Sequence, residues 1–293
     1  MASIIMRTKG KQDYHYLTHK TSIRQYEKYL GKKIPENIET IIKEFELEIF
    51  RKEKKPLLEK IKKNYSFHTK SVDPKILKSK HHGFKITHTY STQRIEGSTM
   101  TLGQTKKLLE QKLSPKNTSV DDIIEAEQIA IIFDQMLNHK NNEISEKLIL
   151  LWHEKLFEKT DSNNAGSFRR EDVAPYMGKT EYVLWADVIP DIEGLLNWYK
   201  QNKKIINPVE LASRFHKRFE LIHPFIDGNG RIGRMIMLWI LHKNGYPMMN
   251  IEPKEKDTYV KKLESSYLQS NELVFVKWFV LKYLRDHKKY IDE

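Results

Sequence analysis

Cysteine is missing from the sequence altogether. Its absence excludes a disulfide framework, a thiolate zinc site and any chemistry that needs a thiol nucleophile. A chain without cysteine suits the reducing cytoplasm, which is the location we expect for it.

Long apolar runs are missing as well. No window approaches the roughly 18 apolar residues of a membrane span, and the N-terminus carries only a short apolar stretch before its first charged residues. The sequence therefore predicts a soluble chain that is neither exported nor inserted in a membrane.

Acidic residues are scarce relative to basic ones, and the formal net charge is +12. Lysine and arginine neutralise phosphates without a special fold, so this charge makes nucleic-acid binding a candidate function. The lysines are spread from end to end, however, which is typical of solvated helix faces. A nucleic-acid-binding regulator that selects its targets through a basic N-terminal region is kept as an alternative.

The N-terminal region is predicted to contain a few short β-strands. Residues 4–7 and 14–18 flank a turn at residues 9–11, and a third run leads to Gly31. From about Pro35 onward the apolar residues follow helical spacing instead. We therefore expect a small β region followed by helices.

A domain boundary is expected near residue 80. The segment 66–80 is polar and carries Pro74, which makes it the candidate linker. The predicted domains are residues 1–80, with a role in target choice or regulation, and residues 81–293, which hold the motifs for chemistry.

Helix signals dominate after this boundary. An N-cap residue with a polar partner three positions on, or with a proline next to it, marks a helix start. Such pairs are Thr101 with Gln104, Ser119 with Asp122, and Asn207 with Pro208. Apolar residues at helical spacing continue in residues 231–245, 254–269 and 273–288, so the fold class is predicted to be mainly α.

One extended segment, residues 173–186, interrupts the helices. Residues 178–180 (GKT) are suited to a tight turn, and residues 182–185 (YVLW) are suited to a strand. The segment is therefore predicted to be a small β-hairpin flap.

The most informative segment is residues 223–234, HPFIDGNGRIGR, which has the pattern of a helix, a tight loop and a second helix. Gly228 and Gly230 surround Asn229, which lets the backbone approach a ligand closely. The helix that follows begins with unpaired N–H groups at the positive end of its dipole. These features predict an anion-binding site.

Three charged side chains in this segment suit a metal-bound triphosphate. Arg231 and Arg234 lie in the first turn of the helix, where two cations would repel each other unless a polyanion lay between them. Guanidinium groups bind phosphate oxygens through paired hydrogen bonds. Asp227 supplies the hard oxygen ligand that Mg²⁺ takes beside waters and phosphates.

His223 is the candidate general base. It ends the helix before the loop, beside the predicted phosphate site, and an ordinary imidazole pKa of about 6.5 suits proton abstraction near neutral pH. It would take the proton of an attacking hydroxyl group.

This string matches HPFxDGNGRxxR, the signature of the Fic domain proteins, at every specified position, and the chain resembles that family over about residues 85–285. The resemblance implies a Fic-type helical bundle that transfers AMP from ATP, with Mg²⁺, to a Ser, Thr or Tyr hydroxyl of a protein. The implied roles are His223 as base, Asp227 as magnesium ligand, Gly228, Asn229 and Gly230 as anion hole, and Arg231 and Arg234 as phosphate clamps.

The same resemblance extends to substrate recognition. It implies that the flap at residues 173–186 aligns the target protein by strand addition. It also implies that Tyr259 closes the adenine side of the pocket, whereas Tyr267 stands where the family often has asparagine. Self-modification and a homodimer are left open.

A second signature precedes the core. Residues 91–97, STQRIEG, resemble the inhibitory helix motif of the family, (S/T)xxxE(G/N), with Thr92 and Glu96 at its defined positions. A glycine follows Glu96 and is a natural terminator of this helix, which we place at about residues 85–96. The resemblance implies that Glu96 pairs with Arg234 and blocks the placement of the γ-phosphate.

Other reactions are kept as alternatives or rejected. The same site run in reverse would remove AMP from a modified protein, with Glu96 helping to activate water. Transfer of a bare phosphate is disfavoured, because the related kinase-type toxins carry lysine where this chain has Gly230. His153 and Glu154 supply half of a zinc protease motif, but Phe157 replaces its second histidine, so a zinc protease is rejected.

Overall fold

The computed structural model describes residues 2–138, 143–174 and 181–292. In those ranges helices predominate and the strands are confined to the N-terminus, which confirms the predicted mainly α fold class. None of the helices there combines the length and the apolar composition that a bilayer-spanning helix needs.

The strands are β1 Ser3–Lys9, β2 Gln12–Lys20 and β3 Gln25–Gly31. The α-helices are α1 Ile38–Ser71, α2 Pro74–Ile95, α3 Leu102–Gln111, α4 Val120–Asn138, α5 Glu146–Phe157, α6 Val188–Asn202, α7 Pro208–Ile222, α8 Asn229–Lys243, α9 Lys256–Leu268, α10 Leu273–Asp286 and α11 Lys289–Asp292. Short 3₁₀ helices occupy Trp185–Asp187 and Pro253–Glu255.

Two compact units make up the chain, Met1–Lys60 and Ile61–Glu293. The division falls inside α1, whereas the sequence predicted a boundary near residue 80. The assignment of separate roles to residues 1–80 and 81–293 stays a prediction.

The predicted linker at residues 66–80 is wrong. Helix α1 continues to Ser71, and α2 begins at Pro74 after the N-cap Asp73, whose side chain accepts from the Lys75 N–H. The proline that suggested a break therefore occupies the first turn of a helix, where it needs no hydrogen-bond donor.

The N-terminal unit contains an antiparallel three-stranded meander in the order β1, β2, β3. The predicted strands are confirmed, and Gly10, with a φ of 65°, makes the first turn. Leu17 of the central strand packs with Phe45 and Ile49 of α1 in a small apolar core.

Helix α8 is the central element of the larger unit. It packs against α7, and α2, α4 and α5 also contact it. Residues 231–241 are all buried. Arg231 and Arg234, in the first two turns of this helix, must therefore find partners for their charges in the interior, because an unpaired buried charge is costly.

The predicted helix starts are confirmed. Thr101 and Gln104 form a complete capping box on α3, and the Asp122 N–H donates to the Ser119 hydroxyl at the start of α4. At α7, the side chain of Asn207 accepts from the N–H of the residue after Pro208.

The predicted flap, residues 173–186, contains no strand in its described part, and its hairpin turn lies outside the described residues. The strand predicted from the sequence YVLW is wrong: residues 182–184 have no regular structure, and the backbone of Val183 bonds to groups from other parts of the chain. Its N–H donates to the Leu221 carbonyl at 3.4 Å, and its carbonyl accepts from the Arg169 guanidinium. The chain then enters the 3₁₀ helix Trp185–Asp187.

Replacing Thr101 with alanine should lower the free energy of unfolding by about 1 kcal/mol, because the N-cap bond to the Gln104 N–H is lost. Lys106→Ala, at an exposed position of the same helix, is the matched control and should change stability by less than about 0.5 kcal/mol. Urea unfolding followed by circular dichroism measures both. Equal effects of the two substitutions would contradict the capping role.

Candidate active site

A cavity of about 570 Å³ lies at the loop between α7 and α8. The end of α2, helix α4 and helix α9 complete its wall. The predicted site residues that line it are Glu96, His223, Asp227, Gly228, Asn229, Gly230, Arg231, Arg234 and Tyr259. The structure thus brings together all the predicted site residues at this cavity except Thr92, which is buried against Arg234.

His223 is positioned by the end of α7. It adopts a left-handed conformation with a φ of 49°, and its N–H donates to the Phe219 carbonyl at 3.0 Å. The buried guanidinium of Arg169 donates to the His223 carbonyl at 2.8 Å. The imidazole stacks on the ring of Tyr182, with the ring centroids 3.8 Å apart. The backbone and the ring of His223 are therefore both held by neighbours.

The imidazole of His223 is neutral at physiological pH. Burial lowers its pKa to about 4, with a smaller contribution from the Arg169 charge. Its Nδ1 lies 3.3 Å from the carbonyl oxygen of Glu220, which can only accept, so we assign the proton to this nitrogen. Nε2 is then the unprotonated nitrogen that a general base needs.

Asn229 braces the loop with its side chain. Its Oδ1 accepts from the Phe225 N–H at 2.9 Å, and its Nδ2 donates to the Phe225 carbonyl at 2.8 Å. Helix α8 begins at Asn229, earlier than the predicted start at Arg231. The unpaired N–H groups at the helix start therefore belong to residues of the predicted anion hole itself.

Two residues of α5 support this loop. A Cβ on Gly228, which has a φ of 82°, would lie 2.5 Å from the Phe157 ring, so only glycine fits. His153 Nε2 donates to the Asp227 carbonyl at 3.0 Å, and its Nδ1 accepts from the Gly166 N–H at 3.1 Å. The helix that resembled half of a zinc protease motif therefore holds the loop in place.

Arg231 lies between two carboxylates. Its Nη2 donates to Oδ2 of Asp227 at 2.8 Å, and its Nη1 donates to Oε2 of Glu125 on α4. Burial alone would raise the pKa of Asp227, but the Arg231 charge is among the contacts that outweigh it, and the pKa lies below its ordinary value. Asp227 is therefore ionised at neutral pH.

The position of Asp227 suits a magnesium ligand. Its side chain lines the cavity and is 63% exposed. Mg²⁺ in proteins commonly takes one or two carboxylates and completes its shell with substrate phosphates and water. Within the described ranges no group of three His, Asp or Glu side chains could hold a metal without such help. A cation here would therefore be bound together with a polyphosphate.

Arg234 is buried and tied to the end of α2. Its Nε donates to the Thr92 hydroxyl at 2.9 Å, and its Nη2 donates to Oε1 of Glu96. Gly97, with a φ of 108°, turns the chain immediately after Glu96. Burial would lower the pKa of Arg234, but the Glu96 carboxylate raises it above its ordinary value. The two side chains that the sequence paired therefore form an ion pair.

Gly230 lies directly against this ion pair. A Cβ at this position would be 2.3 Å from Oε1 of Glu96 and 2.8 Å from Nη1 of Arg234. A side chain at residue 230 would therefore require the Glu96 carboxylate or the Arg234 guanidinium to move.

Buried polar groups line the side of the cavity near α9. The hydroxyl of Tyr259 lies 2.7 Å from Nε2 of His216, so this hydroxyl is bonded inside the protein rather than free in the cavity. Burial lowers the pKa of His216 to about 3 and raises that of Glu220 to about 8. Both groups are therefore mainly uncharged at neutral pH. The hydroxyl of Tyr267 donates to the Lys217 carbonyl at 2.7 Å.

Several residues at the site were missed by the sequence analysis, notably Glu125 and Glu220. Glu125 sits on the apolar face of α4 next to the buried Ala126 and Ile129. A charged residue on such a face needs a buried partner, and this signal could have identified it. Nothing in the sequence indicates that the partner is Arg231.

The fold and the site define a helical domain built around the glycine-containing loop between α7 and α8. Residues 143–241 match the family model described as Fic/DOC family, which confirms the resemblance inferred from the motif.

The chain is also similar to curated proteins that carry the Fic name. Protein adenylyltransferase Fic of Aedes aegypti is 32% identical over 190 residues, which cover 61% of this chain and 36% of that protein. Protein adenylyltransferase fic-1 of Caenorhabditis elegans is 28% identical over 186 residues, which cover 62% of this chain and 36% of that protein. The chain thus spans about a third of the length of these relatives.

Solved structures agree with the fold. A Fic domain containing signaling protein from Bacteroides thetaiotaomicron, 27% identical, gives a TM-score of 0.70 and covers 79% of this chain and 95% of that one. Fic-1 from Caenorhabditis elegans, 22% identical, gives a TM-score of 0.72 and covers 90% of this chain and 79% of that one. The helical bundle is therefore of the Fic type.

Asn229→Ala should lower the free energy of unfolding by about 2–3 kcal/mol, because the buried backbone groups of Phe225 lose both partners. Asn244→Ala, just beyond the other end of α8, removes one hydrogen bond to the Ile240 carbonyl and should cost about 1 kcal/mol. Chemical denaturation of both variants tests this difference. A smaller loss for Asn229→Ala than for Asn244→Ala would contradict the bracing role.

Proposed function

We propose that this chain transfers AMP from ATP to a hydroxyl group of a protein. The observation that carries the proposal is the convergence, in one cavity, of the unprotonated imidazole of His223 with a helix start, two arginines and an exposed carboxylate. The curated relatives carry the name protein adenylyltransferase. Because the chain spans about a third of them, the activity of the whole protein is part of the proposal.

His223 acts as the general base in the proposed reaction. Its Nε2 takes the proton of the attacking hydroxyl, the hydroxyl oxygen bonds to the α-phosphorus of ATP, and the bond to pyrophosphate breaks. The N–H groups of residues 228–230 and the guanidinium groups of Arg231 and Arg234 hold the phosphates. Mg²⁺ bound at Asp227 would neutralise part of the phosphate charge.

Glu96 restrains this reaction in our proposal. Arg234 is buried, and its Nε and Nη2 are bonded to Thr92 and Glu96, so these donors are unavailable to a γ-phosphate. A charged hydrogen bond of this kind contributes roughly 1.5–3 kcal/mol, which is about one to two decades in an equilibrium. Removing the carboxylate should therefore favour the competent state by a comparable factor.

The target protein is proposed to dock at residues 173–186 and to present a Ser, Thr or Tyr hydroxyl. The ring of Tyr182 stacks on the His223 imidazole, so an incoming hydroxyl must reach His223 beside this ring. The buried Arg169 supports this arrangement, because it bonds to the carbonyls of both His223 and Val183. The guanidinium of Arg169 therefore holds both the catalytic-base candidate His223 and Val183 of the docking segment.

Glu96→Gly should raise AMP incorporation, into the chain itself or an added protein, by about ten- to a hundred-fold, because the carboxylate that holds Arg234 is lost. Incorporation from α-labelled ATP with Mg²⁺ measures the rate, and mass spectrometry identifies the added group. Glu96→Gln is the matched control, since it keeps an acceptor for Arg234 without the charge and should give an intermediate rise.

The base is tested in the same assay. His223→Ala in the Glu96→Gly background should abolish incorporation. Equal incorporation by the parent chain and by Glu96→Gly would contradict the restraint, whereas full incorporation by the His223→Ala double variant would contradict the role of the base.

The kcat/KM of the Glu96→Gly variant should stay nearly constant from pH 7 down to about pH 5. Protonation removes the base only below its pKa, and burial lowers the His223 pKa to about 4. The Glu96 charge raises the His223 pKa, so the Glu96→Gly substitution does not shift the loss of activity at low pH to a higher pH. Initial rates at saturating Mg²⁺ across this range measure the profile.

Circular dichroism at each pH is the control for this profile. Burial lowers the pKa of His153 to about 4 and that of His216 to about 3, below the ordinary value of 6.5. At these two histidines the unfolded chain binds more protons than the folded one below about pH 6.5, so their contribution to stability falls as the pH is lowered. An acid limb centred near pH 6.5 in protein that is still folded would contradict the prediction.

A further inference from the structure

Arg231 is shared by two acids that come from different parts of the fold. It donates from Nη2 to Asp227 at 2.8 Å and from Nη1 to Glu125. The hydroxyl of Thr160 donates to the other oxygen of Glu125 at 3.2 Å. The guanidinium of Arg231, in the first turn of α8, thus bonds to helix α4 and to the loop between α7 and α8.

The carboxylates of Glu125 and Asp227 differ in their exposure to solvent. The side chains of Glu125 and Arg231 are 11% and 5% exposed, whereas that of Asp227 is 63% exposed. One positive charge faces two negative charges here, so Arg231 cannot neutralise both. Asp227 therefore keeps part of its charge on the side that faces the cavity.

Removal of the Glu125 charge would change how the guanidinium of Arg231 is shared between Glu125 and Asp227. Arginine and carboxylate prefer a bidentate pair, in which two N–H groups meet two oxygens. Without its bond to Glu125, the Nη1 group of Arg231 would be available to Asp227 as well. Asp227 would then offer less charge to a cation.

We infer that Glu125 is a positioning residue for the divalent cation of the nucleotide. It binds one N–H group of Arg231, so that Arg231 forms only a single hydrogen bond to Asp227 and leaves Asp227 enough negative charge to bind the cation. The inference rests on the proposed function, which requires that cation. A purely structural ion pair would affect stability but would leave the magnesium requirement unchanged.

The affinity of a non-hydrolysable ATP analogue tests this without turnover. Calorimetry measures the affinity of the Glu96→Gly variant for the analogue in EDTA and at a series of Mg²⁺ concentrations. These data give the Mg²⁺ concentration at which the affinity has risen halfway from its value in EDTA to its maximum; this concentration is the magnesium requirement. Glu125→Gln should raise that concentration by about three- to ten-fold, less than for a direct outer-shell partner because it acts through Arg231. Its affinity in EDTA should not fall, since a negative charge near the phosphates is removed.

Two further variants separate the contact from the charge. Asp121→Asn removes an acid from the same helix and cavity wall, and no hydrogen bond or ion pair links Asp121 to Arg231 in the part of the chain that is described. It should leave the magnesium requirement unchanged. Glu125→Asp keeps the charge but withdraws the carboxylate from Arg231, so it should shift the requirement in the direction of Glu125→Gln by a smaller factor. It also replaces Glu125→Gln if that variant fails to fold.

A double variant tests the route through Asp227. In an Asp227→Asn background, Glu125→Gln should produce no further shift, because the carboxylate through which it acts is gone. An unchanged or lowered magnesium requirement in folded Glu125→Gln, an equal rise in Asp121→Asn, or an additive double variant would overturn the inference while the proposed function stands. Absence of nucleotide binding in the Glu96→Gly parent would overturn both.

Discussion

Two arginines in the first two turns of a buried helix are the constraint on which the larger unit depends. Arg231 and Arg234 are almost completely enclosed, so their charges need carboxylates from elsewhere in the chain. Glu125 is supplied by α4 and Glu96 by the end of α2. These helices therefore contribute counter-charges to the site in addition to packing in the core.

The fold class and the place of the site could be predicted because their signals are local. A capping box such as that of Thr101 joins residues within one turn of each other, so it can be read directly from the sequence. The loop in residues 223–234 likewise carries a base, an acid, glycines and arginines in one contiguous segment. The structure brings these residues to one cavity, and their catalytic roles stay predictions.

Contacts between distant residues could not be predicted from the residues alone. Glu125 and Arg231 are separated by 106 positions, and no local pattern links them. The Glu96 and Arg234 pair, 138 positions apart, was expected only through a family resemblance. A local pattern also misled at residues 182–185, which form no strand; there the Val183 carbonyl accepts from the distant Arg169.

Gly230 couples two properties that would otherwise be free to change independently. The space left by its missing side chain admits the Glu96 carboxylate and also lies in the loop where a polyphosphate would approach the backbone. A methyl group there would force the Glu96 carboxylate or the Arg234 guanidinium to move. Substitution of Gly230 would therefore disturb the ion pair between Glu96 and Arg234 from the α8 side, whereas substitution of Glu96 removes the carboxylate and leaves the backbone of the loop unchanged.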